Sequence, residues 1–326
     1  GLSQASYRWL CYPPLRHDNA GIYLFNVSDP AFLNYGRPLP YVNSLQGPEP
    51  GKHIEWLIER CVRLHLSPLY MTSTWLESDE HARRVGDQLQ MQGVGLIAGG
   101  NADFASVGST WEEERAKFIR HMELGKAAGA DLIVAVHNGA IEHNHFSKDP
   151  PIEVQMERLI VNFRQLCQEA ERIEIVMALE NHMDYRCSEI AVVIEGVDSP
   201  WLRVNFDFAN SLSVIEDPVD AVKAVARWTV MTHVKDMRVQ PKTLEGEPKI
   251  MLSTLGEGSV DIDTIMQVLS AEAPDPENLP QCLEIAPLPD QDSDLWIGTS
   301  IRWLDQHYGH LFADSAARAH VGWPSR

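Results

Sequence analysis

The chain has 326 residues, 44% of them hydrophobic, which is ample for one large α/β barrel or for two ordinary domains. Its 46 acidic and 27 basic residues give a formal net charge of -19, which repels phosphate backbones and anionic lipid, so neither nucleic acid nor a membrane is an expected partner. No apolar run has membrane-spanning length, the start "GLSQASYRWL" lacks the pattern of a secretory signal, and Cys11, Cys61, Cys167, Cys187 and Cys282 are scattered without C-x-x-C spacing. A soluble cytoplasmic protein without a disulfide framework or zinc cluster is the expectation.

"LSQASYRW" reads as a first strand. From residue 51 onward, apolar strand-like runs alternate with segments of helical periodicity. "KHIEWLIERCVRLHL" gives way to "SPLYMTST", "ESDEHARRVGDQLQMQ" to "GVGLIAGG", and "TWEEERAKFIRHMELGKAAGA" to "DLIVAVHNG". "PIEVQMERLIVNFRQLCQEAER" leads into "IEIVMALENH", "CSEIAVVIEGV" into "WLRVNFDFAN", "DPVDAVKAVA" into "RWTVMTHVKD" and "SVDIDTIMQVLS" into "QCLEIAP", before a last helix in "LWIGTSIRWLDQHY". Eight such pairs predict a (β/α)8 TIM barrel. A doubly wound sheet is the competing architecture, and its glycine fingerprint after the first strand is absent. One domain over 1–326 is expected, with insertions at about 11–50 and 237–258. Both would lie on the face formed by the strand C-termini. The first insertion is rich in aromatics (Tyr12, Tyr23, Phe25, Phe32, Tyr35 and Tyr41), which suit a lid, an aromatic ligand or a subunit interface.

"VMALENHMDY" states the central puzzle: a run built for the interior ends on a carboxylate. A polar strand end is ordinary when taken singly. Four consecutive strands, however, end in Glu180, Asp207, His233 and Glu284, at intervals of 27, 26 and 51 residues, the last including the second insertion. Strand ends one unit apart are neighbours around a barrel mouth. Three carboxylates and an imidazole converging there need a cation to join them. Oxygen-rich ligands with one nitrogen favour Mn2+, Mg2+ or Co2+.

"LENH", "NFDFAN", "HVKD", "LGEGSVDID" and "CLEIAP" resemble the sugar phosphate isomerase/epimerase family, the xylose-isomerase-like TIM barrels, over about 51–310. The resemblance implies that Glu180, Asp207, His233 and Glu284 are divalent metal ligands. It also implies that Glu180 and Glu284 move protons on opposite faces of a substrate, as in ketose epimerases. Two substrate contacts of the 3-epimerases are missing: their histidine three residues past the aspartate is Asn210 here, and their arginine six past the metal histidine is Val239. Asn210 can hydrogen-bond a hydroxyl but cannot act as an acid or base.

The fourth strand ends in "HNGAIEHNHF", which offers His137, His143 and His145 as general bases, His145 and His137 being favoured. His182 suits a substrate contact beside Glu180, and Lys235 and Asp236 suit substrate contact or orientation of His233. The combination resembles the larger subunit of the C-glycoside deglycosidases, which implies a 3-oxo-glycoside substrate, elimination after enolisation and a smaller partner subunit. The expected function is divalent-metal-dependent proton abstraction beside a sugar carbonyl, followed by loss of the aglycone. Reprotonation would instead make an isomerase or epimerase, and a silent sugar-binding subunit is a reading of another class; a homo-oligomer is the alternative to the smaller partner subunit. A nuclease on the same barrel would need more metal ligands and a basic face.

Overall fold

The computed structural model describes residues 1–7, 48, 51–139, 142–242, 249–285 and 292–308. Within them the alternation becomes β1 (Leu2–Ser3), α1 (His53–Leu64), β2 (Leu69–Thr72), α2 (Asp79–Met91), β3 (Leu96–Ala102), α3 (Gly108–Ala127), β4 (Leu132–His137) and α4 (Ile152–Ile173). There follow β5 (Val176–Glu180), α5 (Cys187–Val197), β6 (Leu202–Asp207), α6 (Pro218–Val225), β7 (Thr229–Val234), β8 (Asp236–Gln240), β9 (Lys249–Ser253), α7 (Ile262–Glu272), β10 (Gln281–Leu283) and α8 (Ser293–Tyr308). Eight strands close a parallel barrel in the order β1, β10, β7, β6, β5, β4, β3, β2, with helices between successive strands: the (β/α)8 fold expected from the sequence.

The helices form where apolar residues recur on one face. In α1, Ile54, Leu57, Ile58, Cys61 and Leu64 are buried at helical spacing. Caps set the entry points. Ser78 accepts from the His81 amide at the start of α2, and Asp217 accepts from Val219 and Asp220 ahead of Pro218 in α6.

Alternation along each strand separates two cores. Tyr70, Ile97, Val134, Met231 and Cys282 fill the barrel interior, with Leu132 and Val136 packed against them. The residues between them, such as Ile133, Ala135, Met177, Leu179, Val204, Phe206, Val234 and Leu283, join the larger core beneath the helices. Glu180, Asp207, His233 and Glu284 therefore belong to the inward set. One irregularity is needed to align them: Val204 pairs with Thr229 but Asn205 with Met231, so the register shifts and Asp207 comes opposite His233. Without that shift, Asp207 would lie opposite Thr232, which has the other facing.

The first strand is shorter than the sequence suggests. After Ser3 the chain enters a 3-10 turn over Gln4–Tyr7. The Ser6 hydroxyl replaces the ladder there, donating to the Leu283 carbonyl (3.0 Å) and accepting from the Ile285 amide (3.0 Å). The second insertion is built on an antiparallel β8–β9 hairpin. The first, 11–50, lies outside the described residues apart from Pro48, as do its aromatics.

Candidate metal centre

Glu180 ends β5, Asp207 ends β6, His233 is the fifth residue of β7, and Glu284 follows β10. Each offers a ligand atom, and the four atoms lie within 4.8 Å of one another. His233 Nδ1 is the centre of the group, 3.4 Å from Glu180 Oε1, 3.5 Å from Glu284 Oε2 and 3.9 Å from Asp207 Oδ2. A divalent ion with bonds of about 2.1 Å sets its ligands about 3 to 4.2 Å apart, so the donor set suits one hard or borderline cation.

Neighbouring groups fix each ligand. Asp207 Oδ1 accepts from the amides of Ala209 and Asn210, both at 2.9 Å. The Asn181 side chain clasps the Asp207 backbone, donating to its carbonyl (2.9 Å) and accepting from its amide (2.6 Å). Asn210 Nδ2 donates to Glu180 Oε1 at 3.2 Å, and Ser3 Oγ donates to Glu284 Oε1 at 3.1 Å. Lys235 Nζ bridges Asp207 Oδ2 (2.6 Å) and Glu284 Oε2 (2.7 Å) and also donates to Asn210 Oδ1 (3.3 Å). "NFDFAN" and "LENH" thus carry their asparagines for the site. Asn181, Asn205 and Ser3 escape a reading confined to titratable residues.

The electrostatics show mutual dependence. Burial pushes the Asp207 carboxyl up to about 6, against the pull of Lys235. Burial would lower the His233 imidazole, yet Glu284, Glu180 and Asp207 raise it to about 9. Burial likewise works against the Glu180 carboxylate, and His233 outweighs it and holds that carboxyl below its usual range. The Lys235 ammonium, opposed by burial, is held charged by Asp207 and Glu284. In the metal-free chain these side chains neutralise one another.

The other candidates divide by position. His182 lies two residues past Glu180, and its Nδ1 is 3.3 Å from Asp184 Oδ2; burial opposes its charge, and Asp184 and Glu180 raise its pKa. His137 ends β4 but does not face the four ligands. It continues the outward set of Ile133 and Ala135, its ring 5.0 Å from Tyr185 and 6.2 Å from Phe104, with Nε2 3.3 Å from the His143 carbonyl. Burial lowers its pKa. His143 is paired through Nδ1 with both oxygens of Asp103, at 2.9 and 2.8 Å. His145 sits on the β4–α4 connection, its Nδ1 2.7 Å from Glu189 Oε1 and its amide donating to the Asp184 carbonyl. Asp236 turns away to the next loop, accepting from Gly256, Gly258 and Val260 amides. Val239 is 56% exposed on the hairpin.

Residues 58–307 match the family model of the xylose isomerase-like TIM barrel. The chain belongs to that family. It is similar to the 3-oxo-isoapionate decarboxylase of Pectobacterium atrosepticum, 27% identical over 123 residues, which are 37% of this chain and 43% of that one. A curated Escherichia coli relative of undescribed function, YihM, is 31% identical over 62 residues, 19% of each chain, so neither relative is spanned to two thirds of its length. Among solved structures, the fold is shared with the IOLI protein binding a zinc atom (TM-score 0.60, 14% identity, 80% of this chain and 94% of that one). It is also shared with the probable 3-DHS dehydratase AsbF of Bacillus anthracis (TM-score 0.59, 16% identity, 76% and 92%).

Proposed function

We propose that the chain is a divalent-metal-dependent enzyme that removes a proton beside the carbonyl of a keto sugar or 3-oxo-glycoside and then eliminates the aglycone. The observation that carries this reading is the gathering of Glu180, Asp207, His233 and Glu284, remote in sequence, at one barrel mouth with their ligand atoms within 4.8 Å. These four would hold the ion, Mn2+ by preference and Mg2+ or Co2+ as alternatives. When bound, such an ion polarises the carbonyl and hydroxyl oxygens of the sugar and makes the neighbouring C–H acidic.

The chain's own groups supply the rest. Glu180 ends β5 and Glu284 follows β10, with β6 and β7 between them, and the family resemblance gives each the part of taking or returning a proton on its own side of a sugar ring. Asn210, already bonded to Glu180 and Lys235, presents amide groups for a hydroxyl, and His182 and Lys235 add donors. His145, oriented by Glu189, is a further base from the β4–α4 connection. His137, the other base the sequence favours, ends β4 with Nε2 on the His143 carbonyl, and burial keeps its imidazole neutral.

In the elimination, the C2–H bond of a 3-oxo-glycoside breaks and its electron pair forms the C1–C2 double bond. The bond from C1 to the aglycone breaks, and the aglycone leaves with the electron pair of that C1–aglycone bond and takes up a proton. The deglycosidase resemblance also suggests a smaller partner subunit and a small glycoside as substrate, and a cytoplasmic setting remains part of the proposal. Isomerase or epimerase activity is the second reading, favoured by family membership, and differs only in where the enolate is reprotonated. Similarity to a 3-oxo acid decarboxylase favours a third outcome, in which loss of carbon dioxide generates the enolate.

The test is to incubate purified chain and Mn2+ with 3-oxo-glucosides bearing C- and O-linked aromatic aglycones, with free ketoses, and with a 3-oxo sugar acid. Aglycone release that EDTA abolishes is expected. Ketose interconversion alone would select the epimerase, carbon dioxide release the decarboxylase, and a chain that holds no divalent ion would leave only a silent sugar-binding role.

A further inference from the structure

Only Lys235 separates β7 from β8, and the alternation of facings carries through it. Lys235 follows the inward set and places Nζ 2.6 Å from Asp207 Oδ2 and 2.7 Å from Glu284 Oε2. Asp236 points the other way, its carboxylate accepting from the amides of Gly256 and Gly258. By the same alternation Met237 and Val239 return to the side of Lys235. In an antiparallel ladder, residues directly opposite one another share a face, so Leu252, across from Met237, and Ile250, across from Val239, lie on that side too.

The side of the hairpin that continues from the metal centre is therefore made of Met237, Leu252, Val239 and Ile250, while the back carries Asp236 and the exposed Arg238. Its exposure rises outward. Met237 is 6% exposed, Leu252 is half-buried, and Val239 and Ile250 are 56% and 55% exposed. At about 3.3 Å per residue, Val239 lies roughly 13 Å along the strand from Lys235, beyond the span of one sugar ring held at the four ligands. Side chains at this outer end offer neither donor nor acceptor. A sugar carries a hydroxyl on most of its carbons and would lose hydrogen bonds to water against such a surface, whereas a flat apolar group gains from it.

We propose that this side of the hairpin is the subsite for the leaving group: Val239 and Ile250, with Leu252 and Met237 leading inward, pack against an apolar, aromatic aglycone while its sugar lies at the four ligands. This rests on the elimination reading given above and names the substrate class for it, glycosides of aromatic aglycones rather than free sugars.

The test titrates the full chain, in the presence of Mn2+, by calorimetry with phenyl and methyl β-D-glucoside, which lack the 3-oxo group and so bind without reacting. Wild type should hold the phenyl compound about tenfold more tightly. Val239→Ser and Ile250→Ser should each cut that preference about threefold, and the two together should remove it. Val239→Phe should raise it, and Arg238→Ala, on the back of the hairpin, should keep it. Wild type that binds both compounds alike or neither, or serine variants that retain the preference, overturn the subsite; aglycone release from 3-oxo-glucosides by the same wild type then leaves the elimination standing. A preference that the serine variants lose, in a wild type that releases no aglycone, overturns the elimination and keeps the subsite. Serine variants that retain the preference and change only the sedimentation of the chain give this side of the hairpin to a second copy.

Discussion

Lys235 shares the oxygens that a divalent ion would use. Its Nζ lies 2.6 Å from Asp207 Oδ2 and 2.7 Å from Glu284 Oε2, in a site where Asp207 is wholly buried. In the metal-free chain it offsets two carboxylates that would otherwise face each other in a poor dielectric. Lys235→Met should therefore destabilise the EDTA-treated chain by about 3 kcal/mol in urea unfolding. The same change removes a competing positive charge and should tighten Mn2+ by about tenfold or more in calorimetry. A variant that loses stability without gaining affinity would mean that Lys235 is no competitor of the ion. His121 makes a different residue-scale prediction. It is 7% exposed on the buried face of α3, neither ring nitrogen has a hydrogen-bond partner among the described residues, and burial lowers its pKa to about 4. The unfolded chain binds that proton near 6.5, so stability is full above about 6.5 and falls as pH drops toward about 4. His121→Leu should remove this slope, read as a smaller difference in urea midpoint between pH 7.5 and pH 5 than wild type shows.

At the scale of elements, strand ends were legible in the sequence and facings only in part. Glu180, Asp207, His233 and Glu284 stand out because each breaks an apolar run at the same stage of a repeating unit. His137 closes its run in the same manner, yet "LIVAVH" is apolar on both faces, as in any strand covered on both sides, and shows no alternation from which its direction could be read. The register shift between β6 and β7 is equally silent, because it depends on pairing rather than composition. Nor could the one-letter pattern end β1 at Ser3, since the Ser6 hydroxyl that takes over its ladder is chemically suited to a strand or a turn. The loop "LGEGSV" shows why its glycines accompany the aspartate of "HVKD". The Asp236 carboxylate accepts from the amides of Gly256 (3.0 Å), Gly258 (2.8 Å) and Val260 (3.3 Å), tying the end of β7 to the approach of α7. A Cβ on Gly258 would fall inside that carboxylate. Gly258→Ala should release the clasp at a cost of about 1–3 kcal/mol, measured by denaturant midpoint. It should also loosen Mn2+ binding, because His233 lies on the strand so tied. Full stability in this variant would assign the loop no part in holding the site.

For the whole molecule, the ligands are drawn from residues 180 to 284, so only the folded barrel can collect them. An ion bound by the native state and not by the unfolded chain stabilises the fold by about 2.7 kcal/mol at a hundred times its dissociation constant. For a chain of this size that amounts to a rise of several degrees in melting temperature, at roughly 2–4 °C per kcal/mol. The excess of negative charge supplies a competing source of the same effect, since a net charge of -19 attracts divalent ions to the surface at large. The two separate by salt and by substitution. Attraction to exposed carboxylates is screened over about 10 Å at 0.1 M salt and less at higher ionic strength, whereas a buried ligand set is shielded from that screening. Scanning calorimetry of wild type with Mn2+ should therefore show the upward shift both at low salt and in 0.5 M NaCl. Glu180→Gln and Asp207→Asn should keep only the part that salt removes. A shift that vanishes in salt for wild type, or persists unchanged in both variants, would place the bound ions on the acidic surface and take the barrel mouth out of the chemistry.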